Sequence, residues 1–258
     1  MFRWFSSAAK DSGPSYSLLK SVPSRRLPKE LSDREASSDY REWRDRIESD
    51  LFEQPVDEDA PCFITFLKAG NGLLQLRLPE FDGGCLLAFS SPLRAGDYAS
   101  ETNPGKTFQY FCSNPKQVVM VVKDFCEHAA VRHFALDRCP RCNMFTTINP
   151  LSLDTAAKVI QLCKIAKANE IARCGLYWDY ARAAARNGSL LCARDVALEL
   201  VGHVTAEDPR SHLLLGKLGI QLRDKRLLRE AKEFLAVIKQ DWAIAELEAA
   251  EKTRVFEF

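Results

Sequence analysis

Apolar positions change period twice along this chain. From Ser32 the spacing is helical: Tyr40, Trp43, Ile47 and Leu51 follow one another at three, four and four residues, one stripe on a helix of about five turns. Ser32-Asp-Arg-Glu35 reads as a capping box in front of it, a hydroxyl at the N-cap and a carboxylate three residues on. Gln54–Pro61, with two prolines and three consecutive acids, reads as a linker.

From Cys62 the pattern is that of strands. Cys62–Leu67 and Leu73–Leu78 flank Gly70-Asn-Gly72 and predict a hairpin. Gly84–Phe89 predicts a more buried strand. Ser90-Ser91-Pro92 then supplies an N-cap and a proline for the first turn of a short helix over Leu93–Ala99. Phe108–Phe111 predicts another strand. Ser113-Asn-Pro115 opens a helix with Val118, Val119, Val122, Phe125 and Cys126 on its inner face, and Val131–Leu136 completes the set. Strands alternating with helices over 60–148 predict a small mixed α/β domain.

After Asn149-Pro150 the spacing is helical to the end. Ser152 caps a helix over 153–172, and Gly175, Asn187-Gly188, Asp208-Pro209, Arg223-Asp224 and Gln240-Asp241 punctuate the rest. This segment repeats at a period of 34: Ala197, Val201 and Val204 recur as Ala231, Leu235 and Ile238. Such a period, with a small residue deep in each second helix, marks helix–turn–helix repeats that bind other proteins on a concave face. The expected fold class is therefore α+β: residues 1–59 a basic tail, an acidic amphipathic helix and a linker, 60–148 an α/β domain, and 149–258 an all-α repeat domain.

Composition adds limits. The chain has 258 residues, 36 Lys and Arg against 35 Asp and Glu, so a general nucleic-acid binder is not expected. No run approaches the roughly 18 apolar residues of a membrane-spanning helix, and no membrane insertion is expected. Nine cysteines, most of them inside apolar patterns, fit a reducing cytoplasm better than a disulfide framework. Residues 1–29 carry Arg3, Lys10, Lys20, Arg25, Arg26 and Lys29 against the single acid Asp11. That composition suits a basic tail, with a mitochondrial transit peptide, and hence the matrix, as the alternative.

The sharpest local motif is Cys139-Pro-Arg-Cys142. Two thiolates two residues apart can clasp a metal or form a small disulfide. Three readings stay open. As half of a zinc site the pair would draw further ligands from Cys126, His128 or His133. As a redox pair it should open a helix, whereas Asn143–Ile148 looks extended. As a plain turn it carries two unliganded thiols. A second Cys-x-x-Cys is missing, as are a nucleophile elbow, a phosphate loop and a dinucleotide fingerprint. No catalytic residues are assigned, and zinc is the one cofactor considered.

Two resemblances follow from these residues. Cys85–Tyr98 resembles the strand-to-helix element of the SseB (enhanced serine sensitivity) N-terminal domain, where a strand ending in Phe-Thr/Ser-Ser leads into a short helix. The likeness covers about 60–138 and implies a fold, with no catalytic residues to carry over. The C-terminal part is similar to tetratricopeptide repeats, with Leu215, Leu218-Gly219, Leu222, Ala231, Leu235 and Ile238 on the signature spacing. The unit before it keeps only its second helix and closing Pro209. That resemblance implies a non-enzymatic adaptor for a protein or peptide, its concave face on the first helices, Tyr177–Arg186 and Arg210–Arg223. Tyr177, Trp178 and Tyr180 are the expected aromatic anchors.

Overall fold

The computed structural model describes residues 28–53, 64–69, 72–77, 84–102, 107–112, 115–128, 131–139, 146–148, 156–202, 208–256 and 258. The fold is α+β with a helical C-terminal part. It divides into two compact units, Lys29–Arg173 and one that holds Cys174–Phe258.

In the first unit the expected N-terminal helix is two helices, α1 (Lys29–Glu35) and α2 (Ser38–Glu53). Ser37 makes the break: its hydroxyl donates to the Arg34 carbonyl at 2.7 Å and accepts the Tyr40 N–H at 3.2 Å, closing one helix and capping the next. Ser32 and Glu35 therefore lie inside α1 and do not form the expected cap. Along α2, Leu51 is buried, Tyr40 and Ile47 are half-buried, and Trp43 is exposed.

The sheet is built from β1 (Ile64–Ala69), β2 (Gly72–Leu73), β3 (Gln75–Arg77), β4 (Gly84–Phe89), β5 (Thr107–Cys112), β6 (Val131–Leu136) and β7 (Thr146–Ile148). The hairpin is there, with Lys68 opposite Leu73. The second arm of this hairpin pairs first with β1 and then, as β3, with β4. β5 runs antiparallel along the whole of β1. β4 and β6 are the parallel pair, Leu86 opposite Phe134, and β7 adds on antiparallel. A parallel neighbour needs a crossover; here it runs through α3 (Pro92–Thr102), β5 and α4 (Pro115–His128).

Alternation along the strands feeds two cores. Ile64, Phe66, Leu86, Ala88, Phe134 and Leu136 pack with Val118 and Val121 of α4 and with Val159, Leu162, Ile165 and Ala166. Leu67, Cys85, Leu87, Phe89 and Ala135 face the other way, against Ala95, Tyr98 and Ala99 of α3. β4 is buried on both faces, which explains its unbroken apolar run. Each buried Phe or Leu contributes about 1.5–3 kcal/mol.

Val159–Ala166 belong to α5, which runs unbroken from Ala156 to Arg186. Gly175, expected to punctuate the chain, sits inside it. The two units divide within this helix, between Arg173 and Cys174.

The second unit continues with α6 (Leu190–Gly202), α7 (Pro209–Leu222), α8 (Lys225–Val237) and α9 (Asp241–Thr253). Ala197, Ala231 and Leu235 are fully buried, and Leu213, Ile220, Leu235, Ala243, Leu247 and Ala250 form one core. At Gly219 α7 runs close against the backbone of α8: a Cβ there would lie 2.9 Å from the Leu228 nitrogen. Asp208 and Asp224 cap α7 and α8 through their carboxylates. Val204, the last member of the first repeat triplet, lies outside the described residues. Among the described residues no helix is long and apolar enough to cross a membrane.

Candidate functional site

The second unit carries a basic groove. Arg182, Ala185 and Arg186 lie on the last turns of α5, one helical turn apart, so they share a face. Lys217 and Gln221 hold the equivalent spacing on α7, and Glu246 comes from α9. Together with Phe256 and Phe258 they line a depression of about 810 Å³. An adjoining one of about 710 Å³ adds Gly188, Leu190, Ile220, Arg223 and Arg254. Lys217 is largely buried and paired with Glu246 at 2.6 Å. The remaining cations, Arg182, Arg186, Arg223 and Arg254, give the groove its sign.

Part of the groove is filled by the chain itself. Arg254 ends α9 in the left-handed region, φ 59°, with its N–H on the Ala250 carbonyl, and its guanidinium donates to the Ile220 carbonyl at 3.3 Å. The chain turns there, and Phe256 packs against the core of α7–α9. The Phe256 and Phe258 rings stack, 6.1 Å apart and 12° from parallel. Nε of Arg186 donates to the main-chain oxygen of Phe258 at 2.7 Å, and a second guanidinium nitrogen donates to the same atom.

The expected aromatic anchors divide. Tyr177 is 2% exposed, so it packs inside the bundle and is not an anchor available to a partner. Its place on the buried side of α5 is the reason: Ala181 and Ala185, one and two turns on, are buried with it. Tyr180 is half-buried, its hydroxyl 3.9 Å from Cys192 Sγ. Trp178 is half-buried between two guanidinium groups, with Arg182 at 5.6 Å and Arg210 at 5.9 Å from the ring centre. Within the two segments expected to line a concave face, Tyr177–Arg186 and Arg210–Arg223, the residues that line the groove are Arg182, Ala185, Arg186, Lys217, Ile220, Gln221 and Arg223. The signal for them is Arg182, Arg186, Lys217 and Gln221 in i, i+4 pairs, set beside a Phe-Glu-Phe segment at 256–258.

Of the expected metal ligands, Cys139 is buried just after β6 and His133 is half-buried within β6. Cys142 lies outside the described residues, as do the side chains of Cys126 and His128. Among the described residues no group of three or more metal-ligating side chains comes together.

A second constellation, in the first unit, escaped the sequence reading. Ser90 follows β4 and Asp137 follows β6, the carboxyl ends of the parallel pair. Asp137, at φ 57°, accepts the N–H of Ser90 at 2.8 Å and its hydroxyl at 3.0 Å on one oxygen. Its other oxygen takes Asn169 Nδ2 at 3.0 Å and faces Arg173 at 3.4 Å. Arg173 also faces Glu35 at 3.6 Å, and Glu35 accepts from Arg94 at 2.8 Å. The four charged side chains are each 10% exposed or less. Burial would raise the Asp137 pKa, but Arg173, Arg94, the Ser90 N–H and Asn169 outweigh it and hold the carboxyl below its ordinary value. Burial is also the main reason the Tyr40 phenol titrates above its ordinary range. Two guanidinium groups against two carboxylates leave no net charge. Removing one member of such a buried set leaves its partner's charge uncompensated, whereas the cations of the groove outnumber its described acid, Glu246.

Comparison with protein-family models, with characterised proteins and with solved structures finds no match to this chain.

Proposed function

We propose that the chain is a non-enzymatic protein-interaction adaptor. Its C-terminal helices, read as tetratricopeptide-like repeats, hold an extended peptide in the groove between α5, α7 and α9. An SseB-like α/β domain is joined to them. The observation that carries this reading is the groove itself: a cationic trough lined from α5 and α7, already filled in part by the rings of Phe256 and Phe258. The repeat period of 34 and the fully buried Ala197 and Ala231 support the same register. Guanidinium groups suit the task because they bind carboxylates and main-chain oxygens through paired N–H donors and stack on aromatic faces.

The reading makes peptide binding electrostatic. A panel of dye-labelled synthetic peptides that differ only in acidic and aromatic content tests it by fluorescence anisotropy. Acidic peptides with aromatic residues should bind, should weaken as salt is raised, and should lose at least about tenfold in affinity to the Arg182→Glu/Arg186→Glu variant, the scale expected when charged anchors are reversed. Equal binding of basic and acidic peptides, untouched by that variant, would overturn it.

A further inference from the structure

We infer that residues 255–258 are a tethered competitor for the groove, and that the partner it competes with is an acidic peptide carrying two aromatic side chains two residues apart. The inference rests on the reading of the groove as a peptide site and adds its regulation and ligand class.

Three observations place the tail there. Phe256 lines both depressions and packs on the core of the unit. Phe258 lines the larger one, and Arg186 holds its main-chain oxygen through two donors. The two rings stack on one another, 6.1 Å between centroids and 12° from parallel. The tail thus supplies what the groove lacks. The main-chain oxygen of Phe258 meets a guanidinium, the Phe256 ring packs on the apolar cluster that includes Ile220, and Glu257 stands between the two phenylalanines in the sequence.

The docking is also weak enough to be reversed. Phe256 and Phe258 are half-buried rather than enclosed, and Arg186 itself is exposed, so the contact is screened by water. A tether this short keeps the tail at an effective concentration on the order of 1 mM. For any intrinsic Kd about tenfold below that concentration, the tail fills the groove about nine-tenths of the time and raises the apparent Kd of a competing peptide about tenfold. A partner with the same pattern on a longer segment displaces it.

The test uses a dye-labelled Arg-Val-Phe-Glu-Phe peptide, the sequence of 254–258, added to three proteins: the full chain, the chain ending at Arg254, and the full-length Phe256→Ser/Phe258→Ser double variant. The expected result is about tenfold tighter binding to both altered chains than to the full chain. The double variant keeps the result interpretable if the shortened chain folds poorly. Affinities within twofold of one another on all three, abolished by Arg186→Glu, would overturn the competitor and leave the groove standing. Binding unmoved by Arg186→Glu would overturn the groove itself. No binding to any of the three would overturn the tail as a ligand, and the peptide panel then judges the groove separately.

Discussion

The carboxylate of Asp137 accepts the main-chain N–H of Ser90 at 2.8 Å, tying the end of β6 to the end of β4 across 47 residues of sequence. That bond also aims the other carboxylate oxygen at Arg173, 3.4 Å away and almost fully enclosed. Breaking one side of such a pair leaves a buried charge without its counterpart. Asp137→Ala is therefore expected to destabilise the chain by about 3–5 kcal/mol, measured by urea unfolding at pH 7.

The pH dependence has a definite sign. The folded Asp137 pKa is depressed, below the ordinary carboxylate value of about 3.9. Its contribution is thus complete above that value and is lost as pH falls from there through the folded pKa. The stability gap between the wild type and Asp137→Asn should be nearly constant from pH 7 to 5 and should narrow below about pH 4. A gap that widens on acidification would show that the carboxylate is not held in its charged form by Arg173 and Arg94.

Glu35 does for the N-terminal helices what Asp137 does for the strands. It is the only acid of α1 with described ion pairs, to Arg94 at 2.8 Å and to Arg173 at 3.6 Å. Glu35→Gln should loosen α1 and α2 before the sheet. Hydrogen exchange of the Ala36 and Tyr40 amides, bonded to the Ser32 carbonyl and the Ser37 hydroxyl, is expected to quicken by about tenfold or more, for a loss on the order of 1.5–3 kcal/mol of charged hydrogen bonding. The Leu86 and Phe134 amides in the sheet should change less. Equal acceleration everywhere would mean that the ion pairs support the whole unit rather than this edge.

Much of this fold is legible in the sequence because its signals are local. Alternation, Pro92 and Pro115 at first turns, and the Gly70–Gly72 turn are read within a few residues, and the strands and helices over 64–136 follow them. Repeat spacing likewise marks Ala197 and Ala231, both fully buried. What escapes is set by long-range partnership. Glu35 matches a local capping box, yet its partners are Arg94 and Arg173, 59 and 138 positions away by subtraction of their numbers. Ser90 is visible as part of a helix start, but nothing nearby in sequence announces Asp137. Gly175 misleads for the opposite reason. A lone glycine costs a helix only about 1 kcal/mol relative to Ala, and the buried residues on both sides of it, Ala172 and Tyr177, hold α5 continuous. Tyr177 illustrates the limit for sites: an aromatic on a helix predicts a contact without saying which side of the helix faces water.

Gly219 separates helix propensity from packing. A substituted Cβ would meet the Leu228 nitrogen at 2.9 Å, the Asp224 oxygen at 3.2 Å and the Leu228 Cα at 3.3 Å, all backbone atoms of the next helix or of the residue that caps it. Gly219→Ala gains about 1 kcal/mol of propensity but must push α8 away, and the expected net result is a loss of about 1–3 kcal/mol. At Gly216 the obstacle is the Leu247 side chain, which can rotate aside. Gly216→Ala should therefore cost less than Gly219→Ala in the same thermal melt. The reverse order would place the closest helix approach elsewhere.

The helix ends test the backbone in the same way, with the sign reversed between two sites. α5 is followed by Gly188 at φ 79°, and α8 by Lys239 at φ 57°. Both residues donate their N–H to a carbonyl three residues back, and the next N–H reaches five residues back, from Ser189 to Ala184 and from Gln240 to Leu235. These are the paired bonds of one C-terminal motif, which asks for a left-handed residue and takes glycine most readily. A Cβ at Gly188 would touch nothing within 4 Å, so Gly188→Ala costs only the left-handed conformation, about 1 kcal/mol. Lys239 already bears that cost. Relieving it with Lys239→Gly should stabilise the chain by about 0.5–1 kcal/mol, less the extra freedom glycine has when unfolded and the small gain of a cation at a helix C-terminus. Opposite shifts in melting temperature from the two substitutions are expected. A destabilised Lys239→Gly would mean that the lysine's charge at the end of α8 outweighs its backbone strain.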